Sequence, residues 1–239
     1  MRLALLLLLL LPAGPAAAQE VTLTIGEGGD LTTRTIQLLA LVTVLSLVPG
    51  LAVMITCFPF IVTVLSILRQ AIGLQAAPPN MLMVTLALFL TWFVMDPVLT
   101  AAWTEGIGPL TEGRLGTEEA FTAALGPFRL FMAARLDPDT LAAMAALRPG
   151  APVTDPPEAA SLSLLVPSFL LSEITRAFEI GFLIFLPFLI IDLVVAAVLM
   201  SMGMMMVPPA IVSLPFKLAF FVVADGWTLI SSALVRGYF

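Results

Sequence analysis

Four ionisable residues sit inside long apolar runs of this 239-residue chain: Asp96, Asp192, Lys217 and Asp225. Burying a charge among apolar side chains is costly, so such groups pair with each other or line a wet path. Asp192 lies eleven residues before Gly203 and Lys217 eight after Pro209. At 1.5 Å per helical residue they stand ~16 Å and ~12 Å from the intervening break. A helical hairpin would bring them to similar depth, where a salt bridge could form. Asp225, ~24 Å from the break, fits less well. Two kinds of chemistry remain open: an ion pair that fixes the register of the hairpin, or a relay for protons or ions. If the pair were simply two opposite charges, exchanging them would restore it in part.

The break itself reads "MSMGMMMVPP" over residues 200–209 and holds Met200, Met202, Met204, Met205 and Met206 out of twelve methionines in the chain. Thioethers are unbranched and adaptable, so core packing is one reading. They are also soft ligands for copper(I), a second reading weakened by the lack of histidine and by the distance in sequence of the single cysteine, Cys57. A compliant seal around a pore is the third. Residue types and spacing leave all three open.

Other constellations are sparse. Glu173, Arg176 and Glu179 recur every third residue and share one helical face. A polar face on an apolar segment suits contacts between symmetry-related copies. Without histidine the commonest general base and metal ligand are missing. No nucleophile–base pair stands out, and "IGEGGD" at 25–30 does not continue as a phosphate-cradling loop. The residues therefore point to no enzyme, metal or cofactor. Net charge is −6 with no basic run, which argues against a nucleic-acid partner.

The elements that must hold these residues are helices in a membrane. The chain is 60% hydrophobic and 11% charged, with mean hydropathy +1.11, far from the balance of a soluble domain. Residues 1–18 read as a secretory signal peptide: Arg2, an apolar run and a small-residue site cleaved between Ala18 and Gln19. The alternative, a first transmembrane helix, has a shorter apolar run than a span needs. Residues 19–30 form an exposed lead-in, with Asp30 able to cap a helix from Leu31. Residues 31–103 read as an N-terminal helical hairpin region. A helix break is expected near Pro49, then a helix ending near Arg69, then a helix over Met81–Trp103. Residues 104–160 carry eight acids against four arginines and read as a small acidic helical domain outside the cytoplasm, with a break at Gly126-Pro127. Residues 161–239 form a C-terminal hairpin region: a long apolar helix to 201, the Met-rich loop, and a last helix over Ile211–Val235. The fold class is all-α, of integral-membrane type, built from helical hairpins with broken helices.

Three blocks resemble one family: "PPNMLMVTLALFLTWFVMDPV" at 78–98, "PSFLLSEITRAFEIGFLIFLPFLIIDLVVAAVLMSMGMMMVPP" at 167–209 and "LPFKLAFFVVADGW" at 214–227. They are similar to the FliP family of type III export gates, which includes the SctR proteins of virulence secretion. The resemblance implies a bacterial inner-membrane location in the flagellar basal body. It implies five copies assembled with FliQ-like and FliR-like subunits and other export proteins, with secreted flagellar proteins as substrates. It implies a methionine gasket in the pore made by Met204, Met205 and Met206, with Met202 beside them. It also implies that family members are largely lifted out of the bilayer in the assembled gate, their apolar faces covered by neighbouring subunits. One departure is visible: Pro59-Phe60 stands where relatives commonly carry Thr-Arg, so a charged contact is lost and a kink is expected there. The cleaved signal and acidic domain favour the flagellar branch over the virulence branch. An ion or solute transporter is the alternative from another class, but the halves show no matching repeats.

Overall fold

The computed structural model describes residues 31–74, 78–148, 156–204 and 206–239. The expected signal peptide with its Ala18–Gln19 site, the expected lead-in and Met205 lie outside the described residues. The described residues contain helices and turns and no strand, so the all-α expectation holds. The chain divides between Leu45 and Ser46 into two units. In the first, helix α1 (Leu31–Met54) begins, and its apolar side chains Ile36, Leu39, Val42 and Leu45 are exposed.

The second unit holds the cores. Helix α2 (Phe58–Ile72) is its centre, burying Phe60, Ile61, Val64, Leu65, Leu68, Ala71 and Ile72. These recur at three- and four-residue intervals, as a helix stripe facing a core does. Around it pack α3 (Asn80–Ala102), α7 (Leu162–Ser201) and α8 (Pro209–Val223). Gly181 of α7 lies close against α2, where any Cβ would run into the side chain of Ile67.

From α3 the chain passes through a π turn at Trp103–Ile107 and a short α4 (Gly108–Thr111) into the acidic segment, with α5 (Thr117–Arg135) and α6 (Pro138–Ala146). Its apolar side is a second core of Met132, Leu141, Ala145 and Ala160, completed by Leu164, Leu165 and Phe169 from the start of α7. Arg129 donates to the carbonyls of Glu158 (3.0 Å) and Ala160 (2.8 Å), tying the segment to the entry of α7. The last helix, α9 (Gly226–Arg236), follows α8 at a 61° bend.

Asp137 caps α6. One carboxylate oxygen accepts from the Thr140 hydroxyl (2.6 Å) and from the Thr140 amide (2.9 Å), and these two bonds hold its pKa below the ordinary aspartate value. A lowered folded-state pKa adds stability above the unfolded value, ~4, and that increment is lost as pH falls through the folded value. The protection of the Thr140 amide against hydrogen exchange, taken relative to the intrinsic rate at the same pH, should therefore fall as pH is lowered below ~4. Asp137→Ala should remove that change and leave the amide weakly protected throughout.

Several helix limits differ from the sequence expectation. Helix α1 runs through Pro49, and the break falls at 55–57 instead. Pro59 lies in the first turn of α2, where an amide has no intrahelical partner to lose, so it starts the helix and does not kink it. Helix α5 passes through Gly126-Pro127 unbroken, with Pro127 buried. The expected single helix over Ile211–Val235 is two: Asp225 adopts φ 48° at the corner. Aspartate tolerates that left-handed conformation better than most residues.

Candidate functional site

Helices α7 and α8 form the hairpin that the sequence suggests, and the two charges meet across it. Lys217 Nζ donates to Asp192 Oδ2 at 2.6 Å and to the carbonyl of Ala71 at 3.1 Å. Ser213 Oγ donates to Asp192 Oδ1 at 2.5 Å. The ammonium is thus shared between α7 and the C-terminal end of α2, where unsatisfied carbonyls favour a cation. Its side chain is 7% exposed, while that of Asp192 is 31% exposed.

The turn of the hairpin is defined by backbone chemistry. The Gly203 amide donates to Met200 O and the Met204 amide to Leu199 O, both at 3.0 Å. This doubled bonding closes a helix when the next residue is left-handed, and Gly203 has φ +74°. Residues 204 and 206–208 are non-helical, and Pro209 starts α8 with its φ already fixed. The described methionines at the turn make little of the core: Met202 and Met206 are exposed, Met206 at 97%, and Met204 is partly exposed at 37%. Met202 and Met204 also line an apolar groove of about 580 Å³ with Val198, Leu199, Val212 and Phe216 along the hairpin.

The three residues at 173, 176 and 179 part company. Glu173 is fully buried and accepts from Arg135 Nε at 3.0 Å and from the Tyr238 hydroxyl; Arg176 Nη1 lies 3.7 Å away. Arg135 also donates to Gly237 O at 2.7 Å and stacks 4.0 Å from the centre of the Tyr238 ring. Phe60, the residue at the family departure, lies edge-on to Tyr238 at 5.7 Å. Glu173 is therefore engaged within the chain, while Glu179 is exposed on the surface of α7. Burial among these groups pushes the Tyr238 phenol up, with Glu173 adding to the effect.

With this geometry in hand, the comparisons with known proteins fit one family. The FliP family model matches residues 41–234. The chain is 49% identical to the flagellar biosynthetic protein FliP of Caulobacter vibrioides over 96% of its length and 86% of the relative's. It is 45% identical to FliP of Bacillus subtilis over 85% of its length and 92% of that protein's. It is 43% identical to FliP of Aquifex aeolicus over 98% of both.

The chain belongs to the FliP family. Membership makes it a component of the flagellar protein export apparatus. Membrane location accords with three helices long and apolar enough to cross a bilayer, Thr35–Met54, Asn80–Thr111 and Leu162–Ser201, and with the bent α8–α9 pair. In this FliP chain, sequence reasoning missed Ser213, the Ala71 carbonyl, Arg135 and Tyr238. Their partners lie 21 to 146 residues away, so no local spacing announces them. Asp225 had a local signal: Asp-Gly is a turn dipeptide.

Proposed function

We propose that this chain is a non-enzymatic, pore-forming subunit of the flagellar type III export gate. In this reading five copies assemble with FliQ-like and FliR-like subunits, after signal cleavage near Gln19, in the inner membrane at the flagellar basal body. The gate passes unfolded flagellar proteins. Met202, Met204, Met205 and Met206 line the pore as a gasket, and Glu179 with the outer part of Arg176 meets neighbouring subunits.

One observation carries the reading beyond family membership. Helix α7 has 40 residues, or ~60 Å at 1.5 Å per residue, against a bilayer core of about 30 Å. Exposed apolar side chains run along it from Leu171 through Phe178, Phe182, Ile190 and Val198 to Met200, ~44 Å at 1.5 Å per residue. An upright helix leaves part of that stripe outside a bilayer core of about 30 Å. In this reading neighbouring subunits bury the remainder, and the same stacking gathers the exposed methionine turns around one axis.

Native mass spectrometry of the membrane-extracted chain, expressed alone and with its FliQ-like and FliR-like neighbours, tests this. The expected species holds several copies of this chain and gains mass from both partners. A single copy that binds neither partner would refute the assembly.

A further inference from the structure

Lys217 and Asp192 satisfy each other across the hairpin, and Asp225 turns the corner between α8 and α9. Asp96 has neither use. It is exposed on α3 and makes no ion pair or hydrogen bond among the described residues. Its surroundings are concave: Asp96 lines a cleft of about 490 Å³ between α3 and α5, within the size range of ligand sites. On one wall Trp92, Asp96, Thr100 and Trp103 follow at spacings of four, four and three. On the other Phe121, Leu125 and Phe128 follow at four and three. Each set is one helical face. Backbone packing holds the walls together. Gly106 of the π turn lies so close to α5 that a Cβ would stand 2.6 Å from the Ala120 carbonyl and from Ala124. A larger residue at 106 would push the walls apart.

Two indoles, two phenyl rings and one carboxylate form a lining that suits a cation. Aromatic faces attract positive charge, and an ionised carboxylate only accepts hydrogen bonds. A primary ammonium gains from both, a quaternary ammonium from the rings and the bare charge, and an anion from neither. The level of the cleft says what carries the ammonium. Helix α3 starts at Asn80, whose side chain is bonded to Arg69. From there Asp96 lies ~24 Å and Trp103 ~35 Å along the helix. With an upright helix and a bilayer core of about 30 Å, the cleft straddles the far boundary of the core. Lipid headgroups lie there, and tryptophan is enriched there. The exposed carboxylates of Glu105 and Glu112 follow at once. We propose that this cleft binds the ammonium headgroup of a phospholipid, with Asp96 accepting from the ammonium and the aromatic side chains enclosing it. The site belongs to the chain in its bilayer and does not rest on the multi-copy reading above.

The test uses the full chain, extracted in mild detergent and given equal amounts of phosphatidylethanolamine, phosphatidylcholine and phosphatidylglycerol with identical acyl chains. Native mass spectrometry should find the ethanolamine lipid retained most, the choline lipid next and the glycerol lipid least. Asp96→Asn keeps the shape and removes the charge. It should lower retention of the ethanolamine lipid about tenfold and leave thermal unfolding unchanged. Trp103→Leu should weaken retention of both ammonium lipids about threefold and leave the glycerol lipid as it was. Equal retention of the three lipids, or an unaltered preference in Asp96→Asn, overturns the proposal. Displacement of the lipid by an equal concentration of free ethanolamine would assign the cleft to a soluble amine and overturn the lipid. Asp96→Asn that weakens a co-expressed complex with FliQ-like and FliR-like subunits, while lipid retention stays intact, would give Asp96 to a partner's lysine or arginine. That too overturns the proposal.

Discussion

Asp192→Ala should all but abolish assembly into a stable complex, and Lys217→Met should weaken it less. The two partners are not equally buried. Removing Asp192 strands the 7%-exposed ammonium of Lys217 with only the Ala71 carbonyl. Breaking a buried pair from one side costs roughly 3–5 kcal/mol. Removing Lys217 leaves a carboxylate that is 31% exposed and still accepts from Ser213, so water and one hydroxyl offset part of the loss. Exchanging the charges should not rescue, contrary to the sequence-level expectation. An aspartate at 217 would face the Ala71 carbonyl, acceptor against acceptor, and a lysine at 192 would leave Ser213 without the anion it donates to. Complex yield and thermal unfolding in detergent, across both single variants and the exchange, measure all three effects. Equal losses from the two single variants would mean that burial does not set the cost.

That comparison shows what a sequence makes readable. The depth of Asp192 and Lys217 follows from counting residues to a turn, because helix rise is fixed and the turn is marked by glycine and proline. The methionine turn was readable for the same reason. What counting cannot supply is a third element. Ala71 joins the pair from α2, and the position of α2 depends on side-chain packing over more than a hundred residues. The buried site at Glu173 failed in the same way. Its face on α7 was right, but Arg135 and Tyr238 arrive from α5 and the chain's end, so a polar face that looked free for neighbours is partly occupied. Prolines misled in the opposite direction. Pro49 and Pro127 read as breaks, yet α1 and α5 continue through them. Proline removes one amide donor and crowds one carbonyl, and tertiary packing can override that local cost. Of the breaks that do occur, the one at Asp225 lay in an ordinary Asp-Gly dipeptide inside an apolar run.

The largest functional effect is expected from the turn. Met204→Ala/Met205→Ala/Met206→Ala should leave the complex at normal yield and make the membrane leak small ions. A methionine in a packed core costs roughly 2–5 kcal/mol when cut to alanine, and three such losses would end assembly. The described methionines of the turn are not so placed: Met206 is almost wholly exposed and Met204 sits at the edge of the groove. Helix closure there depends on the backbone of Gly203 and Met204 and on Pro209, which the substitutions leave in place. The fold therefore has little reason to respond. A seal does, because each truncation removes flexible apolar volume from the ring without adding charge. Complex yield and ion leakage must be measured on the same preparation. Lost yield would return the cluster to core packing between subunits. Normal yield without leakage would mean that another element closes the channel, and the turn would lose its place in the pore.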